Sequence, residues 1–462
     1  MNRKKIISAV LLATVMFSNI GSAQTVLAKD SNFKHSNIST TMNSPSEGDI
    51  IDFKEEDKEE AKEWGKEKEK EWKLTSSQKE NIRKYLRNEG SIKTDYNEFT
   101  YSMAGEFEDK KKTLEDIDSS LEKANLSDTI ITYKNVDANS IGFNGELFSG
   151  NDINKDELEK FEEQFLHDKE KDNYLKLDSY FETNINEQKL DPDKRIILKV
   201  TVPSSKGRTH PTKAGVILDG EEYKMLVSND YVIKVDSVHH STLKGRDYVI
   251  VSGELQESLD FKNDLNRLGD KWGKENYREW ANELSTEEKA ALDLYIVGQK
   301  YKEINEYLRT GKLPPEDNSL HDEEKMKDII EKISQALGKE PIPENITVYR
   351  WCGAAEFGYK IGETLSMEQF EKDFLNKDKL EKGFLSTSLS SEGTNGFLPR
   401  NIILRLQVPE GSKGAYVSLL TGKLGEKEIL LNKGSKYHIN KISKTKIRGK
   451  DKYIVDATLL PR

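Results

Sequence analysis

The sequence repeats itself once, at an offset of about 206–216 residues, and a period that long obliges each copy to build a core of its own. Four blocks carry the repeat in the same order. Asp52-Phe53-Lys54, with Trp64-Gly65-Lys66-Glu67 and Trp72, returns as Asp260-Phe261-Lys262, with Trp272-Gly273-Lys274-Glu275 and Trp280, at unchanged internal spacing. Ile131-Thr132-Tyr133-Lys134 returns loosely within Ile346–Arg350, the run from Ile196 to Pro203 returns as Ile402 to Pro409, and Gly220-Glu221-Glu222 returns as Gly425-Glu426-Lys427. Chance supplies one such block but not four collinear ones. The reading is a duplicated domain with its boundary near Ser258, giving residues 51–258 and 259–462.

Each copy changes character along its length. Residues 55–73 are rich in Glu, Lys and Ala, with Trp64 and Trp72 on a narrow stripe, the pattern of an exposed amphipathic helix. In the second copy Leu265 and Leu268 join that stripe, and helical patterns follow over residues 286–309 and 323–337. Shorter strand-like runs come next, at 346–350, 384–389, 401–408, 427–431, 437–442 and 453–459, several of them separated by Gly or Pro. Helices first and strands later predict an α+β fold rather than an alternating parallel sheet.

Residues 1–28 have the three-part layout of a secretory signal: Arg3, Lys4 and Lys5, an apolar run from Ile6 to Phe17, then small residues through Ala28. Residues 29–50, rich in Ser, Thr and Asn, read as a flexible leader. No later stretch has the length to cross a bilayer, so the mature chain is expected to be exported and soluble, without stable membrane insertion. The formal net charge of -10 opposes the phosphate neutralisation that nucleic-acid binding requires. A single cysteine, Cys352, forbids an internal disulfide, and with no His near it in sequence it reads as a packed residue.

Dinucleotide, phosphate-loop and zinc motifs are absent, and no metal is expected. His239-His240, the one close histidine pair, reads as a surface feature without a carboxylate partner. What remains gathers in the second copy. Arg350 ends one strand-like run, Ser386-Thr387-Ser388 lies on another, and Glu426 and Glu428 flank Lys427 at the start of a third. On a strand, residues two apart share a face, which would set the two carboxylates about 7 Å apart. Each motif alone is ordinary in so charged a chain; their combination in one domain is not. The residues by themselves leave open a secreted glycosidase using Glu426 and Glu428, or a non-catalytic partner-binding protein.

The order Val348-Tyr349-Arg350, Ser386-Thr387-Ser388, Glu426-Lys427-Glu428 resembles the arginine-specific mono-ADP-ribosyltransferase toxins. Across nearly the whole mature chain the sequence resembles the enzymatic components of binary actin-ADP-ribosylating toxins, the vegetative insecticidal proteins of Bacillus and the clostridial iota-type toxins among them. Lys62-Glu63-Trp64-Gly65-Lys66-Glu67, Ile342-Pro343-Glu344-Asn345 and Tyr349-Arg350-Trp351-Cys352-Gly353 carry that likeness. The resemblance implies two duplicated ADP-ribosyltransferase-fold domains, each with helices followed by a mainly antiparallel two-sheet β core. It implies a first domain that docks on a separate pore-forming component, and a second that transfers ADP-ribose from NAD to an arginine of monomeric actin. Secretion, delivery to the host cytosol and a monomeric free state follow from the same likeness.

The family pattern also assigns residues. Arg350 binds the NAD pyrophosphate, for which a guanidinium fork is suited. Glu428 stabilises the oxocarbenium-like ribose left when nicotinamide departs, Ser386 holds Glu428 in place, and Glu426 orients and deprotonates the incoming guanidinium. Tyr301, Asn305 and Arg309 line the NAD cleft, with Trp351, Glu356, Phe397 and Arg400 around the nucleotide. In the first copy the aligned positions are Lys134 for Arg350 and Tyr223 for Glu428, and the region of Asp178-Ser179-Tyr180 has no Ser-Thr-Ser, so that copy is expected to be catalytically silent. Two departures stand out: Lys423 where the family carries an aromatic substrate-recognition residue, and Gly383 where clostridial relatives carry Asn.

Overall fold

The apolar runs of the two copies assemble into two sheets of identical strand order. The computed structural model describes residues 50–461 except 95, 97–99, 102–106, 167–172, 188–190, 209–210, 265–267, 361–364, 393–396, 398 and 422–425. The signal and leader (to residue 49), Leu265 and Lys423 therefore lie outside the described residues.

The first copy holds β1 (Ile130–Val136), a small hairpin of β2 (Phe148–Ser149) and β3 (Asp152–Ile153), then β4 (Asn173–Lys176), β5 (Phe181–Asn184), β6 (Ile196–Val202), β7 (Ala214–Asp219), β8 (Glu222–Val227), β9 (Tyr231–Leu243) and β10 (Arg246–Glu257). The second holds β11 (Ile346–Cys352), β12 (Asp378–Glu381), β13 (Leu385–Ser388), β14 (Ile402–Val408), β15 (Gly414–Tyr416), β16 (Glu428–Leu431), β17 (Ser435–Ile447) and β18 (Lys450–Leu459). Their orders, β4-β9-β10-β6-β1-β5-β8-β7 and β12-β17-β18-β14-β11-β13-β16-β15, correspond strand for strand. The β6/β10 and β14/β18 ladders are parallel and the others antiparallel. Each sheet divides where β1 meets β5 and β11 meets β13, because one residue pair joins them, Tyr133 with Asn184 and Tyr349 with Ser388. That narrow join leaves each sheet in the two parts implied by the resemblance.

Helices α1 (Lys58–Glu71), α2 (Ser76–Leu86), α3 (Glu108–Leu121) and α4 (Lys155–Phe165) belong to the first copy. The second copy has α5 (Leu268–Glu283), α6 (Thr286–Ile296), α7 (Tyr301–Thr310), α8 (Glu323–Lys339), α9 (Met367–Phe374) and α10 (Ser418–Thr421). The helical pattern over 286–309 is thus two helices rather than one: Gly298 and Gln299, the latter at φ 56, break it.

The repeated Trp and Gly positions have a packing explanation. The Trp72 indole donates to Ser120 O on α3 at 2.7 Å, and the Trp280 indole donates to Ala336 O on α8 at 2.8 Å, so each ties the first helix of its copy to another helix. A Cβ at Gly65 would lie 2.5 Å from the Tyr223 ring, and one at Gly273 would lie 2.4 Å from the Tyr416 ring. Glycine therefore costs helix propensity at these sites but permits the helix to approach the sheet. Separate apolar cores fill the two copies, and a small cluster of Tyr101 with Tyr349, Trp351, Ile403, Ile447 and Ile454 bridges them. Beside it, Asp178 of the first copy lies 2.8 Å from both Arg405 and Lys441 of the second. Among the described residues no helix is long and apolar enough to cross a membrane.

Candidate active site

The central split of the second sheet brings the sequence motifs together. Strand alternation turns Arg350 away from Tyr349 and Trp351, whose side chains are buried in the bridging cluster. Its guanidinium donates to Ser386 O at 2.7 Å and lies 3.3 Å from Glu356. Burial opposes its charge, but the neighbouring Cys352 and Glu356 outweigh that and raise its pKa. In the β13/β16 ladder Ser386 faces Leu430 and Ser388 faces Glu428, and the Ser386 hydroxyl donates to Glu428 Oε1 at 2.5 Å. Thr387 points the other way and donates to Ile429 O at 2.8 Å, stitching the two strands. Glu428 is 8% exposed, and its N–H donates to Ser418 Oγ at 2.7 Å, so its position is fixed at both the backbone and the side chain.

Glu426 does not share a strand with Glu428. Strand β16 begins at Glu428, Lys427 has φ 45, and Glu426 is an exposed turn residue. The same-face argument fails because the left-handed residue between them breaks the extended backbone. Ser388 nevertheless reaches this turn, donating to Glu426 O at 2.8 Å. The first and last residues of Ser-Thr-Ser thus hold Glu428 and the turn of Glu426 respectively.

Glu356 accepts from Arg350 and, at 3.2 Å, from Arg400, and also takes the N–H of Gly353. Arg400 donates to Trp351 O at 2.6 Å and lies over the ring of Phe397, centroid distance 5.0 Å. Phe397 is 40% exposed. Trp351 meets this group through its carbonyl, while its indole lies on the opposite face and donates to Ser391 O at 3.1 Å. Asn305 ties α7 to the sheet. Its Oδ1 accepts Phe384 N at 2.9 Å while its Nδ2 donates to Tyr295 OH at 2.9 Å and Phe384 O at 3.3 Å, so the amide anchors α7 to the start of β13. A Cβ at Gly383 would lie 2.6 Å from Asn305 Oδ1, so a larger residue there would require the Asn305 amide to shift. Tyr301 opens α7, 41% exposed, with its ring edge against Tyr295. Arg309 pairs with Glu381 at 3.0 Å; burial works against the Glu381 carboxylate, but Arg309 and the N–H of Gly383 bring its pKa below the usual range.

Sequence reasoning missed Tyr295, Glu381 and Ser418. Nothing in the motifs marks Glu381, and Ser418 is brought in only by tertiary folding. Burial pushes the Cys352 thiol up to about 11, the state of a packed, unreactive sulfur. His239 and His240 are exposed on β9, but His240 does have a carboxylate partner, Asp247 at 3.1 Å across the hairpin. Among the described residues no group of His, Cys, Asp and Glu is arranged to hold a metal.

The first copy has the same architecture with different chemistry. Matching the two ladders puts Lys134 at the place of Arg350, Glu182 at that of Ser386 and Lys224 at that of Glu428. The sequence alignment chose Tyr223 because it equated Gly220 with Gly425; the second copy has α10 and a longer connection before β16, which shifts the register. Lys224 pairs with Glu182 at 2.8 Å, and Lys93 pairs with the same carboxylate at 2.5 Å. An ion pair therefore occupies the place where the second copy has its hydroxyl-held glutamate.

A carboxylate held by a hydroxyl, beside two arginines that share one glutamate, has the chemistry to bind an anionic ligand and to stabilise positive charge developing at a glycosidic carbon. The chain belongs to the ADP-ribosyltransferase exoenzyme family, whose model matches it twice, over residues 61–257 and 269–462. It is 32% identical over 181 residues to the mono-ADP-ribosyltransferase C3 of Clostridium botulinum D phage, spanning 37% of this chain and 67% of that protein. The NAD(+)–arginine ADP-ribosyltransferase EFV of Enterococcus faecalis is 26% identical over 184 residues, 39% of this chain and 33% of that one. Among solved structures, BECa, an ADP-ribosylating toxin of a C. perfringens binary enterotoxin determined with NADH, superposes with TM-score 0.76 at 27% identity, covering 90% of this chain and 99% of that one. The enzymatic component C2-I of the C. botulinum C2 toxin superposes with TM-score 0.69 at 27% identity, covering 89% and 100%. The protein is a mono-ADP-ribosyltransferase of a toxin family that uses NAD as substrate.

Proposed function

We propose that the second domain transfers ADP-ribose from NAD to an arginine side chain of a host protein, monomeric actin being the target, as the secreted enzymatic half of a two-component toxin of the vegetative insecticidal type. The observation that carries the reading is Glu428, held by Ser386 beside Arg350, with a second carboxylate, Glu426, on the exposed turn before it. NAD supplies a ribose carbon whose bond to nicotinamide breaks with the electron pair leaving on the nicotinamide. Arg350 and Arg400 carry the charge and fork geometry suited to its pyrophosphate, and Phe397 offers an exposed aromatic face. Glu428, fixed before the reaction, stabilises positive charge that develops on the ribose without having to reorganise.

Glu426 has a separate task. A guanidinium is a poor nucleophile until it loses a proton, and an exposed carboxylate at the mouth of the site can receive an arginine from another protein and accept that proton. BECa and C2-I, which the chain matches over nearly its whole length, are the toxin and enzymatic component of binary systems, which supports a separate binding component here. The first domain, with an ion pair in place of the hydroxyl-held glutamate, is the part we assign to that docking, after export under the signal of residues 1–28. Glu426→Gln is expected to lower ADP-ribose transfer to agmatine about 100-fold while NAD hydrolysis stays within about threefold. Equal loss of both activities would remove the division of labour between the two glutamates.

A further inference from the structure

The turn between the two glutamates is gripped from a place that no motif marks. Lys427 holds a left-handed backbone, φ 45, which is unfavourable for a lysine and persists only where surroundings impose it. Its Nζ lies 3.0 Å from Asp264 Oδ2, with the Asp264 side chain 1% exposed, and donates to Asp264 O at 3.4 Å. Asp264 belongs to the segment that joins the two domains. The same carboxylate caps α5, accepting Gly269 N at 2.9 Å and Asp270 N at 3.3 Å, so the grip is anchored to a helix. The neighbouring residues of the segment touch the other two parts of the site. Tyr349, next to Arg350, donates to Asp260 at 2.6 Å, and Ser391 N, three residues past Ser388, donates to Lys262 O at 2.6 Å. On their other side Asp260 pairs with Lys176 at 3.1 Å and Lys262 with Asp118 at 3.0 Å, both of the first domain.

We propose that Asp264 is a positioning residue of the transfer reaction: by holding Lys427 it fixes the left-handed turn that sets the exposed Glu426 against the strand-borne Glu428. The Lys427 carbonyl accepts Leu389 N at 3.0 Å, just past Ser-Thr-Ser, so releasing the lysine loosens the turn from the strand that carries Ser386 as well. A group acting in this way alters turnover more than NAD affinity, because Arg350 and Arg400 are held by other contacts. The inference rests on the proposed transferase reading.

The test is Asp264→Asn, which keeps an oxygen for the Gly269 N–H and removes the charge, alongside Lys427→Met, which removes the same contact without touching the helix cap. With agmatine as acceptor, each is expected to lower kcat for transfer about tenfold with KM for NAD within about twofold, and the double variant to be no worse than either single. Exchange of the Leu389 amide should quicken in both. Wild-type kcat in both variants, or additive losses in the double, would overturn the inference while leaving the transferase reading intact. Absence of transfer by the wild-type protein would overturn that reading itself, and unchanged Leu389 exchange would then also show that the contact does not fix the turn.

Discussion

Glu428→Gln is expected to lower both NAD hydrolysis and ADP-ribose transfer by about 10³-fold, the scale at which a preorganised electrostatic contact to a transition state is lost. Glutamine has the same shape and still accepts the Ser386 hydroxyl, so the strand pairing and the bond from Glu428 N to Ser418 remain. What disappears is the negative charge beside the ribose carbon. KM for NAD should change little, because the cationic pair Arg350 and Arg400 is untouched. Kinetics of NAD cleavage check this, with unfolding in urea as the control. Loss of less than about tenfold would place the decisive charge elsewhere.

The largest effect on stability is expected at Arg405→Met. Arg405, on β14, is 4% exposed, bonds both oxygens of Asp456 and donates to Asp178 Oδ1 of the first domain at 2.8 Å. Methionine leaves Asp456 buried without its cation, and breaking such a pair on one side costs about 3–5 kcal/mol. Urea unfolding should show that loss, and a change under about 1 kcal/mol would contradict the assignment. The same contact predicts a pH response. Burial works against the Asp178 carboxylate, but Lys441 and Arg405 hold its pKa far below the ordinary range. A carboxylate lowered in the folded state contributes its stability above its ordinary pKa and loses it only as pH falls through the lowered value. Asp178 therefore keeps its ion pairs from pH 7 to pH 5, and the interface should not loosen there on its account.

The duplication was legible because its blocks are the residues that packing constrains most: the Trp pair that ties helices together, the glycine that admits a tyrosine ring, and the buried central strand Ile402–Val408. Arg350, Ser386 and Glu428 were legible because chemistry demands those residue types in that order. The geometry of Glu426 was not, since nothing in Glu426-Lys427-Glu428 announces that Lys427 turns left-handed under the pull of a residue in the interdomain segment. The buried face of the Trp351 indole could have been read from strand alternation alone, since it neighbours Arg350 on the strand. The partners of Asn305, Phe384 and Tyr295, could not, because tertiary folding sets them. The register of the matching positions in the first copy likewise depended on α10, a four-residue helix that apolar periodicity does not reveal.

The most direct test of the account is to incubate the protein with labelled NAD, monomeric actin and a cell lysate, with Glu428→Gln alongside, and to map the label by mass spectrometry. The account predicts ADP-ribose on an arginine of actin with the wild-type protein and none with the variant. Label on another protein would keep the chemistry and refute the target, and no label with no NAD hydrolysis would contradict the account at its centre.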